Sequence, residues 1–296
     1  MAEDVHCEFD LPPHTVRWIE MSDGRQLAVR CYPASGDFQN AARGIVVCLH
    51  GIQSHSGWYG YSSQRMAEAG FHVYCADRRG SGLNTEDRGH ADHGLRLIHD
   101  VRQLVDTVRE EHSGMDVTLL GLSWGGKTAA ALAALFPDRL QQLVLLSPGL
   151  QQKIRPTRWQ NFLLSAARRH DVTRYRARLP LDDPALFTSS ISDQDRIRRD
   201  GLSLKAVTTG LLNSGRDLDE ILRKDSHRIR HRTLLMLAGY DRIVDNDGVR
   251  REVCRFSSND LTIVRYSDAT HTLEFEPNRD QIVTDLVNWL CGSGMS

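Results

Sequence analysis

At 296 residues, with 37 Lys and Arg against 38 Asp and Glu and a formal net charge of −1, the chain has no basic excess to draw it toward nucleic acid or an acidic membrane. Its length suits one α/β domain carrying an insertion. No stretch is long and apolar enough to cross a bilayer, and the acidic start Met1-Ala2-Glu3-Asp4-Val5-His6 lacks the apolar run of a secretory signal, so a cytoplasmic location is expected.

In chain order, Thr15 to Met21 and Gln26 to Tyr32 read as two strands joined at the turn Ser22-Asp23-Gly24. Gly44 to Leu49 is a continuous apolar run, as a parallel strand buried on both faces requires. Tyr59 to Ala69 reads as a helix ended by Gly70, and Phe71 to Ala76 as the next strand. Leu95 to Glu111 places Leu95, Ile98, Val101, Leu104, Val105 and Val108 on one helical face. Val117 to Leu120 is a short buried strand, Lys127 to Phe136 an alanine- and leucine-rich helix, and Leu143 to Leu146 another strand. After a long stretch without strand character, Leu234 to Gly239 and Leu261 to Tyr266 resume the pattern. Strands alternating with helices imply a mostly parallel central sheet flanked by helices. The six cysteines, at positions 7, 31, 48, 75, 254 and 291, lack metal-ligand spacing. Cys48 and Cys75 fall inside apolar strands, where reduced thiols act as small core residues.

Chemistry is concentrated at the strand ends. Gly121-Leu122-Ser123-Trp124-Gly125 sets a serine between two glycines where a strand becomes a helix. Such a turn is sharp and strained, and small residues two positions either side let strand and helix approach. A serine hydroxyl is a weak nucleophile, so it needs a general base, and the base needs a group that holds its tautomer. Asp241 follows the Gly239 turn, with Asp245, Asp247 and Asp268 as alternative acids. His271 follows the last strand, whereas nine of the thirteen histidines, His6, His90 and His231 among them, lie in polar or charged stretches and read as solvated surface. His50 reads as a structural ligand of its own loop. Acyl transfer also needs donors aimed at the developing oxyanion. The N–H of Trp124, next after the serine, supplies one, and the loop His50-Gly51-Ile52 offers the N–H of Ile52 as the second.

The motifs His50-Gly51-Ile52-Gln53-Ser54-His55-Ser56-Gly57-Trp58-Tyr59, Ala76-Asp77-Arg78-Arg79-Gly80-Ser81-Gly82, Gly121 to Gly126, Gly239-Tyr240-Asp241 and His271 resemble the serial motifs of α/β-hydrolases. The resemblance runs from about residue 16 to the end of the chain. Within that superfamily the chain is most similar to the monoacylglycerol lipase, lysophospholipase and serine-aminopeptidase-like branch. It implies a Ser123, Asp241, His271 triad, an oxyanion hole at Ile52 and Trp124, and no metal or organic cofactor. The chain departs from that branch at Leu122, where a histidine is common, and at Trp124, where a smaller residue is. Its oxyanion loop does not match the HGGPG-type loop of proline-iminopeptidase-like enzymes. Serine at 123 separates it from the branches that use an aspartate nucleophile.

Residues 151–232 carry helical sequence, no convincing strand and 18 Lys and Arg against 10 Asp and Glu, and are assigned as a helical cap on a core of residues 1–150 and 233–296. Within the cap, Trp159, Phe162, Leu163, Leu164, Leu202, Leu204, Val207, Leu211 and Leu212 are candidates to line an acyl pocket or to pack against the core. Trp58, Tyr59 and Tyr61 offer a second wall beside the oxyanion loop, and Trp58 and Tyr59 with Trp159 and Phe162 are the expected substrate-binding residues. The expected partner is a small acyl ester: a monoacylglycerol, a lysophospholipid or a shorter ester. Contact with lipid surfaces would be transient. The same triad also serves amidases, aminopeptidases, thioesterases and C–C bond hydrolases, and the fold also occurs in catalytically silent ligand-binding proteins.

Overall fold

The computed structural model describes residues 9–39 and 41–293, so His6 and Cys7 lie outside the described residues. The apolar and β-branched runs become strands, beginning with β1 (Thr15–Glu20), β2 (Gln26–Tyr32) and β3 (Gly44–Leu49). Helix α1 (Gly60–Glu68) leads to β4 (Phe71–Ala76), and α2 (Gly94–Glu111) to β5 (Val117–Leu122). Helix α3 (Trp124–Leu135) then leads to β6 (Gln142–Leu146). Between β6 and the next strand of the main sheet lie α4 (Arg158–Arg169), β7 (Arg176–Arg178), α5 (Ile191–Arg199), β8 (Ala206–Thr208) and α6 (Thr209–Asp225). The chain closes with β9 (Arg232–Ala238), α7 (Asn246–Val253), β10 (Leu261–Tyr266) and α8 (Arg279–Leu290).

The main sheet has eight strands in the order β1-β2-β4-β3-β5-β6-β9-β10. The hairpin β1–β2 is antiparallel and β2 joins β4 antiparallel, while β4, β3, β5, β6, β9 and β10 run parallel. Every residue of β3 and β5 is buried, which explains their apolar character: both faces are covered, and the one hydroxyl, that of Thr118, donates to Gln142 Oε1 (3.1 Å). Because the inner strands are parallel, the chain segments after β3, β4, β5, β9 and β10 all emerge at one edge of the sheet, where ligands collect in open α/β folds.

Two expectations need correction. The stretch between β6 and β9 is not purely helical, because β7 and β8 form an antiparallel pair of their own. Each has only three residues, and β7 exposes Arg176 and Arg178 on either side of Ala177, so no apolar period marks it. His90 and His231 are buried rather than solvated. His90 bridges Thr208 Oγ1 (2.8 Å) and Asp92 Oδ1 (3.0 Å), and His231 Nε2 donates to the Pro137 carbonyl (2.8 Å), so each ring is held by a partner far along the chain that local sequence does not reveal. Helix α6 packs against α2 and α3 of the sheet layer, whereas α4 packs only on α6 among the helices with substantial contacts. Helix α4 starts at a capping box, in which Thr157 and Gln160 satisfy each other's backbone N–H groups.

Candidate active site

Ser123 sits between β5 and α3 with φ 51° and ψ −120°, a backbone conformation that L side chains rarely adopt. The surroundings impose it. The Ser123 carbonyl accepts from the N–H groups of Gly126 (2.9 Å) and Gly149 (2.7 Å), which fix the turn from both sides. A Cβ on Gly121 would lie 2.5 Å from the Gly126 Cα, and one on Gly125 would lie 2.2 Å from the Leu49 carbonyl oxygen. Both glycines are therefore required by close backbone approach, one for the strand–helix turn and one for seating α3 against the end of β3.

The structure brings Ser123, His271 and Asp241 together from the ends of β5, β10 and β9. His271 Nε2 lies 2.9 Å from Ser123 Oγ, and His271 Nδ1 lies 2.7 Å from Asp241 Oδ2. The other carboxylate oxygen of Asp241 accepts from the N–H groups of Ile243 and Val244, each at 2.8 Å. Burial alone would raise the Asp241 pKa, but the facing imidazole and these two N–H donors outweigh it and hold the carboxyl below its ordinary value. Asp241 is thus an anion oriented on both oxygens. The alternative acids are placed elsewhere: Asp245 precedes α7, and Asp268 is exposed.

As the first residue of α3, Trp124 has an N–H with no intrahelical acceptor. The loop after β3 folds beside it. Gly51 N–H donates to Ser54 Oγ (3.0 Å), and among the described residues no acceptor engages the Ile52 N–H. His50 is buried, and the loss of solvation pushes its pKa down to about 3, so its ring is neutral. It accepts the Arg78 N–H at Nε2 (2.9 Å) and so carries its proton at Nδ1, 2.7 Å from the Gly51 carbonyl. Among the described residues no three His, Cys, Asp or Glu side chains converge as a metal site would require.

Ser123 and His271 open onto a cavity of about 1260 Å³. Ile52, Leu150, Ile154, Leu163, Leu164, Leu179, Leu181, Phe187 and Leu212 supply much of its wall. Trp58 and Tyr59 also line it. Trp159 and Phe162 do not: they lie on the outward face of α4, 65% and 59% exposed, stacked on each other with ring centroids 5.4 Å apart. Helical spacing groups them with Leu163 and Leu164, but Phe162 stands about 100° around the axis from Leu163, and Trp159 stacks on Phe162 instead of lining the cavity. Asp200 is a residue that sequence reasoning missed. Its buried carboxylate accepts from His55 Nε2 (2.8 Å), Trp58 Nε1 (2.8 Å) and Ser203 Oγ (2.7 Å), fastening the loop after β3 to the segment between β6 and β9. No local signal marks it, since its partner His55 is 145 residues away.

Glu274, three residues after His271, is buried and accepts the Ser62 N–H (3.0 Å). Loss of solvation pushes its carboxyl up to about 7 from an ordinary 4.5. The folded state therefore holds this proton more tightly than the unfolded state does. The stability that Glu274 contributes is present in full below pH 4.5 and is lost as pH rises through about 7. Glu274→Gln keeps the acceptor oxygen without the charge. It is expected to be about as stable as the wild type at pH 4.5 and more stable at pH 8, by on the order of 1–3 kcal/mol in urea denaturation. A gap independent of pH would contradict this origin.

A strained serine after β5, a histidine after β10 and an aspartate after β9 are the geometry against which known proteins can be compared. The family model described as serine aminopeptidase, S33, matches residues 40–278. The chain belongs to that family. Within it the chain is an α/β-hydrolase of the monoacylglycerol lipase-like branch. It is 24% identical over 261 residues to a monoacylglycerol lipase of Mycolicibacterium smegmatis, covering 84% of this chain and 88% of the relative. It is 26% identical over 269 residues to human monoglyceride lipase, covering 89% of this chain and 84% of that one. Among solved structures, the monoacylglycerol lipase of Paleococcus ferrophilus superposes with a TM-score of 0.79 at 27% identity, over 90% of this chain and 98% of that one. Ester hydrolysis is thus the activity its relatives support.

Proposed function

We propose that this α/β-hydrolase is a serine hydrolase that cleaves single-chain carboxylic esters, monoacylglycerol or lysophospholipid in kind, through an acyl-enzyme on Ser123. One observation carries the reading: Ser123 Oγ stands 2.9 Å from His271 Nε2, itself backed by Asp241, on the wall of a large, mainly apolar cavity. His271 takes the Ser123 proton as the hydroxyl attacks the ester carbonyl. Asp241 holds the imidazole in the required tautomer, and the N–H groups of Ile52 and Trp124 receive the oxyanion. Collapse expels the alcohol, with His271 returning the proton to it. Water activated by His271 then frees the acid.

The residues of the segment 151–232 that wall the cavity support its role as a cap that selects the acyl group. The exposed pair Trp159 and Phe162, with Arg158, Arg168 and Arg169 on the same helix, supports contact of α4 with a lipid surface in place of contact with substrate. A cytoplasmic setting is where the buried thiols of Cys48 and Cys75, side by side on β3 and β4, stay reduced. The aminopeptidase reading lacks support at the cavity. Recognition of a substrate ammonium calls for a carboxylate without a partner, yet Asp219 pairs with Lys127 (2.6 Å) and Glu252 with Arg255 (3.0 Å).

A substrate panel on the purified protein tests this: esters of rising acyl length, a monoacylglycerol, a lysophospholipid and an aminoacyl amide. We expect kcat/KM to rise with acyl length to at least eight or so carbons, at roughly a few-fold per buried methylene. The aminoacyl amide should turn over least. Preference for that amide would overturn the assignment.

A further inference from the structure

We propose that Arg78 is a positioning residue for the oxyanion hole: its guanidinium orients and polarises the peptide that carries the Ile52 N–H, and braces the Trp124 side chain next to it. The proposal rests on the reading of Ser123 as nucleophile and goes beyond it by assigning a role to a residue outside the triad and outside the cavity.

Arg78 lies two residues past the end of β4, so a further strand end contributes to the site. Its Nη1 donates to the Gly51 carbonyl and its Nη2 to the Ile52 carbonyl, each at 3.1 Å. Its guanidinium carbon also stands 4.9 Å from the centre of the Trp124 ring. One planar cation therefore touches both residues whose N–H groups are the candidate oxyanion donors. Among the described residues no carboxylate pairs with it within the 4.0 Å of an ion pair. The adjacent Asp77 carboxylate is occupied by Arg30 (3.2 Å) and by the N–H groups of Ser56 (2.7 Å) and Leu83 (2.9 Å).

The direction of these contacts matters. In a trans peptide the carbonyl and the N–H point opposite ways. The Gly51 carbonyl and the Ile52 N–H belong to the same peptide unit, so a donor on that carbonyl lies on the side away from the N–H and fixes the plane that aims it. Arg78 is accordingly absent from the residues that wall the cavity. The same carbonyl also accepts His50 Nδ1–H at 2.7 Å, so two donors, one of them a cation, draw electron density toward it. Hydrogen bonds in such a chain strengthen one another, which makes the Ile52 N–H a better donor to an oxyanion. Loss of solvation pushes the Arg78 pKa down only to about 10, so it stays charged at neutral pH. A partly buried cation without a carboxylate is costly, and packing alone would be met more cheaply by an apolar side chain. Planar, two-pronged donation to consecutive carbonyls is also something lysine cannot reproduce.

The test compares the wild-type chain with Arg78→Lys and Arg78→Gln. Four quantities are measured: kcat and KM on a p-nitrophenyl ester, inhibition by a trifluoromethyl ketone that forms an oxyanion on the serine, and inhibition by the matching secondary alcohol, which does not. We expect kcat to fall roughly tenfold for Arg78→Lys and roughly 100-fold for Arg78→Gln, the upper value approaching loss of one oxyanion donor. KM and the alcohol's inhibition constant should stay within about twofold, while the ketone weakens in step with kcat/KM. Arg78→Lys keeps the charge and the aliphatic stem, so it reports even if Arg78→Gln folds poorly. Unchanged kcat in a folded variant overturns the inference, as does equal weakening of ketone and alcohol, the mark of a merely structural role. A wild type that hydrolyses no ester overturns the proposed function itself, and this inference with it. An active wild type beside unaffected Arg78 variants overturns the inference alone.

Discussion

Ser123→Ala is expected to lower kcat on an activated ester by roughly 10⁵- to 10⁶-fold. The hydroxyl is the only atom removed, and it is the atom 2.9 Å from His271 Nε2. What survives should be the modest acceleration that the oxyanion donors and binding supply without a nucleophile. The fold should persist, because the turn at 123 is held through the serine's backbone carbonyl and through the close approaches at Gly121 and Gly125, none of which involve Oγ. Equal thermal midpoints with lost turnover are the expected pair of results. Lost turnover with lost fold would leave the serine's chemical role unsupported by this variant.

Asp241→Asn is expected to cost roughly 10⁴-fold in kcat, although it changes one atom and no shape. The reason lies in the second oxygen of the carboxylate. Asp241 Oδ1 accepts two N–H groups, from Ile243 and Val244. An asparagine there must keep its carbonyl oxygen on those donors, which turns its NH₂ toward His271 Nδ1. The imidazole then accepts at Nδ1 and carries its proton at Nε2, facing Ser123. A ring in that tautomer cannot take the serine proton. Steady-state kinetics with a folded Asp241→Asn variant checks this, and kcat within tenfold of wild type would show that the tautomer is set by something else.

Much of this site was legible in the sequence because each part depends on local chemistry at a strand end. Gly121 and Gly125 announce a close strand–helix approach, and an apolar strand before Ser123, Asp241 and His271 places each at the same edge of a parallel sheet. Buried strands such as Gly44 to Leu49 are readable for the same reason, since a segment covered on both faces has nowhere to put a polar residue. What stayed hidden depends on partners far along the chain. Asp200 looks like any helix-end aspartate until His55, Trp58 and Ser203 close on it, and His90 and His231 look solvated until Thr208 and Pro137 do the same. The exposure of Trp159 and Phe162 was unreadable too. Helix α4 carries apolar residues on more than one face, and periodicity does not say which face the cavity takes. The short strands β7 and β8 escape because three residues are too few to show a period.

On the proposed reading, the strand ends and the cavity wall have separate tasks. Ser123, Asp241 and His271 at the strand ends would carry the reaction, and cavity-lining residues such as Leu163, Leu164, Leu179 and Phe187 would decide which acyl group fits. Everything in this chemistry depends on Ser123 as the proposed nucleophile. It is tested most directly by treating the purified protein with a fluorophosphonate probe and mapping the adduct by mass spectrometry, with Ser123→Ala alongside. One adduct per chain is expected, on the peptide containing Ser123, and none on the variant. Labelling at another residue, or equal labelling of the variant, would contradict it.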